Sequence, residues 1–142
     1  MIQARCSARI EAIDGSQFLL SLGQAYSNNQ QFDKVVHPPK TIVLPLSAVD
    51  FKVNLYDITT VKMLMITSDR DIDIKVGSTS NTPIRLRVDV PSPSDLPPSK
   101  RGVLLLTADF VNDVNPLATT GLFISNPSGL VTPNVVVAAI GT

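Results

Sequence analysis

Gly121-Leu122-Phe123-Ile124-Ser125 and Val135-Val136-Val137-Ala138-Ala139-Ile140 are two aliphatic runs, and Asn126-Pro127-Ser128-Gly129 opens the turn between them. They read as a pair of strands. The sequence stops soon after, at Gly141-Thr142. A chain that ends on its most apolar strand has to bury that strand on both faces, inside its own sandwich or against another copy. The expectation is therefore an assembly part rather than a catalyst.

Upstream, strand signals dominate. Ala8-Arg9-Ile10-Glu11-Ala12-Ile13 alternates apolar and polar, Asp14-Gly15 is a hairpin signal, and Phe18-Leu19-Leu20-Ser21-Leu22 returns. Residues 24–40 differ. Ser27-Asn28-Asn29-Gln30-Gln31 is polar, and the prolines of His37-Pro38-Pro39 cannot donate to a ladder, so this stretch reads as a long loop or arm. Strands resume over residues 41–46, where Pro45 marks an edge or an end, and continue over 51–55 and 61–67.

Ile72, Ile74 and Val76 then alternate with Asp71, Asp73 and Lys75; after a turn, Ile84, Leu86 and Val88 alternate with Arg85, Arg87 and Asp89. These two strands are expected to pair, bringing Asp71 and Asp73 near Arg85 and Arg87. Each exposed pair is worth only about 0.2–1 kcal/mol, so the charges help fix register more than they add stability. A one-residue slip would turn the apolar set outward.

Residues 90–101 hold Pro91, Pro93, Pro97 and Pro98 and read as a second extended loop or arm. Gly102-Val103-Leu104-Leu105-Leu106 is a continuous apolar strand. Residues 109–114 could make one helical turn before Asn115-Pro116. No segment sustains helical spacing over three turns. The reading is all-β, with about eight to ten short strands in an antiparallel β-sandwich, jelly-roll-like, with extended loops or arms. Residues 1–142 are taken as a single domain.

The chain has 142 residues, 12 basic and 12 acidic, and charged residues make up 17% of it. An average domain has roughly 25%. Without a basic cluster there is no electrostatic footprint for nucleic acid, and no polybasic patch for an anionic membrane. Near-zero net charge at low charge density favours association over a soluble monomer. No apolar run approaches the ~20 residues of a membrane-spanning helix. The first residues lack the basic-then-apolar form of a signal peptide, so folding in a cytoplasm is expected.

Candidate chemistry is sparse. Cys6 stands alone, reads as a buried small apolar residue, and permits no internal disulfide. His37 is the only histidine, so a triad or a zinc site is not expected. Asp69-Arg70-Asp71-Ile72-Asp73 superficially suggests a calcium loop, but it runs straight into strand alternation and lacks the glycine and bidentate glutamate of an EF-hand. Glu11, Asp109 and Asp113 cannot be paired from spacing alone. No nucleophile elbow, phosphate loop or dinucleotide fingerprint is present. No catalytic residue, metal or cofactor is expected.

Met63 and Met65 share a strand face and read as core fillers. Phe18, Phe51, Phe110 and Phe123 read as core anchors. Tyr26 and Phe32, in the polar stretch, are candidates for contact with another chain, together with His37, Pro38, Pro39, Pro97 and Pro98.

One arrangement carries a resemblance. Residues 61–66, a Ser-Asp turn, residues 72–76 and 83–88, the Gly-led leucine run, Leu122-Phe123-Ile124-Ser125-Asn126-Pro127-Ser128-Gly129 and the terminal strand together look like small β-rich virion proteins of tailed bacteriophages. The likeness covers about the last two thirds of the chain and consists of hydrophobic pattern and turns. It implies a structural protein that decorates or cements a capsid as a homotrimer or other homo-oligomer. Its partners would be copies of itself and the major capsid protein or another virion protein, and it would be made in the host cytoplasm and carried in the virion. It transfers no catalytic residue. The alternatives are a neck, baseplate or tail component and, in another class, a carbohydrate- or ligand-binding β-sandwich module.

Overall fold

A computed structural model describes residues 2–14, 17–32, 34–35, 39–88, 102–107 and 109–142; in the first two of these stretches and at Val35 it describes the backbone. The chain divides into two compact units, Met1–Asp33 and Lys34–Thr142.

The first unit is an antiparallel pair, β1 (Ile2–Asp14) and β2 (Gln17–Phe32). Asp14 lies opposite Gln17, which leaves the two residues after Asp14 between the strands. The hairpin therefore falls where Asp14-Gly15 signals it. The register shifts between Ile2 and Ala4 and between Ala12 and Ile13. Residues 24–32, expected as loop, lie instead on β2. Pairing of Ala25, Tyr26, Ser27 and Asn28 with Ser7, Cys6, Arg5 and Ala4, and of Phe32 with Ile2, holds this run on the ladder, and a ladder partner outweighs the low strand propensity of its side chains.

In the second unit the period of two governs burial. Along β12 (Asn134–Gly141), Val135, Val137 and Ala139 are buried, while Val136, Ala138 and Ile140 between them are half-buried. β12 is an interior strand. On one side it pairs with β6 (Thr60–Ser68), and on the other with β3 (Lys34–Val35) and β4 (Lys40–Val43), which follow one another along it. The far side of β6 carries β9 (Gly102–Leu106) and then β10 (Phe110–Val111). The sheet thus has four rungs: β3 with β4, then β12, β6, and β9 with β10. Pro45 follows the end of β4, as expected of a residue that cannot donate.

The second sheet runs β5 (Phe51–Lys52), β11 (Thr120–Ser125), β7 (Ile72–Ser78), β8 (Ile84–Leu86). Every described pairing is antiparallel, and the described residues include no helix. The segment read as a possible helical turn contributes β10. The two sheets share one core in which Ile42, Val61, Leu64, Ile66, Val135, Val137 and Ala139 from the first meet Ile72, Ile74, Leu122 and Ile124 from the second. This is an antiparallel β-sandwich. Residues 90–101, read as an arm, lie outside the described residues.

Two findings correct side-chain placement. The register of β6 against β12 skips at Lys62, where Ile140 faces Met63 but Gly141 faces Val61. This bulge shifts the inward set from Val61 to Leu64 and Ile66. Met63 and Met65 therefore lie on the outer face rather than in the core: Met63 is buried outside the core cluster, and Met65 is exposed. Phe123 is buried, as expected of an anchor, but lies outside the core cluster on the outer face of β11, where the Lys52 ammonium lies 5.7 Å from its ring centre. Phe51 is exposed, while Phe110 is a core residue as expected.

Candidate functional site

A concavity of about 170 Å³ opens at the end of the sandwich where β5 leads into residues 53–59 and residues 112–119 lead into β11. Lys52, Asn54, Tyr56, Asn112 and Asp113 supply its polar lining; Val114 and Pro116 are among its apolar walls. β5 delivers Lys52 beside β11, and its ammonium donates to the carbonyl oxygens of Asn115 (2.8 Å), Ala118 (3.3 Å) and Thr120 (2.9 Å). Asn112 Nδ2 donates to Ile58 O at 2.7 Å. Asp113 Oδ1 accepts from Asn115 N, and Asn54 Oδ1 accepts from Tyr56 N, whose residue has a φ of 57°. These groups close tight turns. The Lys52 cation, the Asp113 carboxylate and the Asn54 and Asn112 amides each hold backbone, which makes the arrangement rigid. Asn112 Oδ1 is buried without a hydrogen bond, and it lies against Gly121.

At the opposite end, Asp69 joins the loop after β6 to the start of β12. Its Oδ1 accepts from Asn134 N at 2.8 Å and its Oδ2 from Asn134 Nδ2 at 2.9 Å. Asp71 and Asp73 turn the other way. Arg87 Nη2 lies 2.9 Å from Asp73 Oδ1, and Arg87 Nε lies 3.8 Å from Asp71 Oδ2. Asp73 and Arg85 are directly opposite across β7 and β8, the register expected from the alternation. The acidic run thus divides its carboxylates between a loop clamp and an ion pair. No group of three or more metal-ligating side chains occurs among the described residues.

The two outer faces differ in chemistry. That of the β5-β11-β7-β8 sheet carries Lys52, Lys75, Asp73 and Arg87; Lys75 lies 3.0 Å from Asp50 Oδ1. That of the β4-β12-β6-β9 sheet carries Val43, Val136, Ala138, Ile140, Met63, Met65, Val103 and Leu105, with Thr41 and Thr67, and at its β10 end the Lys62 ammonium is paired with Asp109.

Of the contact candidates, Tyr26 and Phe32 lie on β2 opposite Cys6 and Ile2. Pro39 is exposed one residue before β4. His37, Pro38, Pro97 and Pro98 lie outside the described residues. The Lys52 hub escaped sequence reasoning because its carbonyl partners sit 63 to 68 residues away. The largely apolar face did leave a signal, since β12 is aliphatic at both parities. Comparison with protein-family models, curated proteins and solved structures found no match.

Proposed function

We propose that this chain is a structural virion protein with a jelly-roll body, which decorates or cements a capsid as a homo-oligomer. The observation that carries the reading is the strand order. Counting the rungs of the second unit in chain order, with β3 and β4 as the first and β9 and β10 as the sixth, one sheet reads 1-8-3-6 and the other 2-7-4-5. The first rung pairs with the eighth, the second with the seventh, the third with the sixth and the fourth with the fifth. One long antiparallel hairpin rolled on itself would give this set of pairs, and this supports the jelly-roll reading.

Jelly rolls build viral capsid domains and also lectins. The largely apolar outer face of the β4-β12-β6-β9 sheet favours the assembly role, because it is a surface that a neighbouring molecule can cover. The pattern resemblance to phage virion proteins points the same way.

The test has two parts. Mass spectrometry of purified particles from the source of this gene should find the chain at shell-like copy number. Purified chain added to shells stripped of it should co-sediment with them and raise their disruption temperature. Absence from particles, or a glycan array with clear hits, overturns the reading. A copy number of a few per particle reassigns the chain to a neck or tail.

A further inference from the structure

We infer that the outer face of the β4-β12-β6-β9 sheet is a contact between two copies of this chain, stacked sheet on sheet. The inference rests on the proposed assembly role and names the partner for one of its surfaces.

An antiparallel sheet with one solvated side normally alternates apolar-in and polar-out. The β5-β11-β7-β8 sheet comes close to this, with lysine, aspartate and arginine outward and its one outward aromatic, Phe123, under the Lys52 ammonium. The other sheet does not. Val43 is 60% exposed, Val103 57% and Met65 44%, and half-buried Leu105, Val136 and Ile140 lie among them. The patch is continuous across strands: Met65 is opposite both Leu105 and Ala138, and Thr67 is opposite both Val103 and Val136. Opposite side chains on one face lie about 5 Å apart, so these residues form one surface.

The dimensions indicate the kind of contact. Four rungs about 4.8 Å apart and roughly six residues long at ~3.3 Å each make a face of about 400 Å². That is the size at which an exposed apolar patch marks an interaction site, about 300–600 Å². Two such faces together hide roughly 800 Å², at the weak end of specific interfaces. Such a contact dissociates in dilute solution and holds where many copies are already tethered side by side.

Charge selects the occupant. Lys62, at the β10 end of this face, is neutralised by Asp109, so among the described residues the patch presents no unpaired charge and takes a partner face that brings none, since a buried unpaired charge is costly. Across a two-fold axis a second copy presents the same strands with the same twist, and two such sheets stack about 10 Å apart in the aligned mode. The chain's own charged sheet could not serve as that partner.

The full-length chain is measured by sedimentation equilibrium over a wide concentration range. A monomer–dimer equilibrium is expected in the micromolar range. Val103→Lys and Met65→Lys, made separately so that a folding defect in one leaves the other decisive, should each weaken dimerisation at least about tenfold, because the two-fold brings like charges together. Their circular dichroism and melting curves should stay close to those of the parent.

A strict monomer at every concentration overturns the inference, as does a dimer indifferent to both substitutions. Met65→Cys supplies a further readout: a short bismaleimide should give a covalent dimer in a Cys6→Ser background. With Cys6 present, a link between positions 6 and 65 of one chain would identify the chain itself as the cover and overturn the proposal. A monomer that still sits in particles removes this contact and leaves the assembly role standing, while a dimer absent from particles does the reverse.

Discussion

Gly141 shows how little space a single residue can have. A Cβ added there would collide with the Thr60 carbonyl oxygen and come within 2.9 Å of Ile58 Cγ2. The approach is close because Thr142 N donates to Thr60 O at 2.9 Å while Thr59 N and Thr60 N donate to Thr142 O at 2.8 and 3.0 Å. Gly141→Ala must therefore part β12 from β6 at their end, and it should cost more than about 1 kcal/mol in a urea denaturation midpoint. Asp69 is the polar counterpart. It is buried, and its two bonds to Asn134 join the loop after β6 to the start of β12. Asp69→Ala leaves the Asn134 N–H without its carboxylate partner and should cost about 1–3 kcal/mol by the same measurement. Neither role was legible beforehand. Composition shows a glycine at a strand end and an aspartate at a turn, but the atoms that confine them belong to residues far away in sequence.

Between elements, the Lys52 ammonium works as a staple. It binds three carbonyls of the segment that returns the chain into β11, so Lys52→Met leaves all three to water or to nothing. Thermal unfolding should show a loss of about 1–3 kcal/mol. Amide exchange should quicken in residues 112–119 while β6 and β12 keep their protection. The β7–β8 pair behaves differently. Its register could be anticipated, because alternation of Asp71, Asp73, Arg85 and Arg87 with isoleucine and leucine admits one inward set. Arg87, with a side chain 43% exposed, carries the ion pairs to Asp71 and Asp73. Water and salt screen such a pair. A double-mutant cycle of Arg87→Ala with Asp73→Ala should give a coupling below about 1 kcal/mol that shrinks further as salt rises. That strand pair is held chiefly by the apolar residues beneath it, Ile72, Ile74 and half-buried Leu86.

For the molecule as a whole, the described core cluster draws its members from residues 42–139, and both sheets of the sandwich lie within Lys34–Thr142. A chain of residues 34–142 should therefore fold by itself, giving a β-type circular dichroism spectrum and a single cooperative melting transition. A gradual, non-cooperative melt would show that the core needs the first unit. Most sandwich pairings join strands distant in sequence, the first rung with the eighth being the extreme case. The loop-closure cost of such pairings predicts folding on the slow side for a domain of this size.

Hydrophobic period, hairpin signal and charge alternation were enough to call for strands, an antiparallel sandwich and the β7–β8 register, because each depends on neighbours a few residues apart. The aliphatic character of β12 at both parities fits its buried inner face of Val135, Val137 and Ala139, while Val136, Ala138 and Ile140 on its other face are half-buried. Strand order was not encoded in this local way. The Lys62 bulge that turned Met63 and Met65 outward, the ladder that drew residues 24–32 into β2, and the contrast between a charged and a largely apolar outer face all arose from long-range pairing. Alternation tells which side chains share a face, but not which strand lies alongside, and that choice depends on the packing of the whole chain at once.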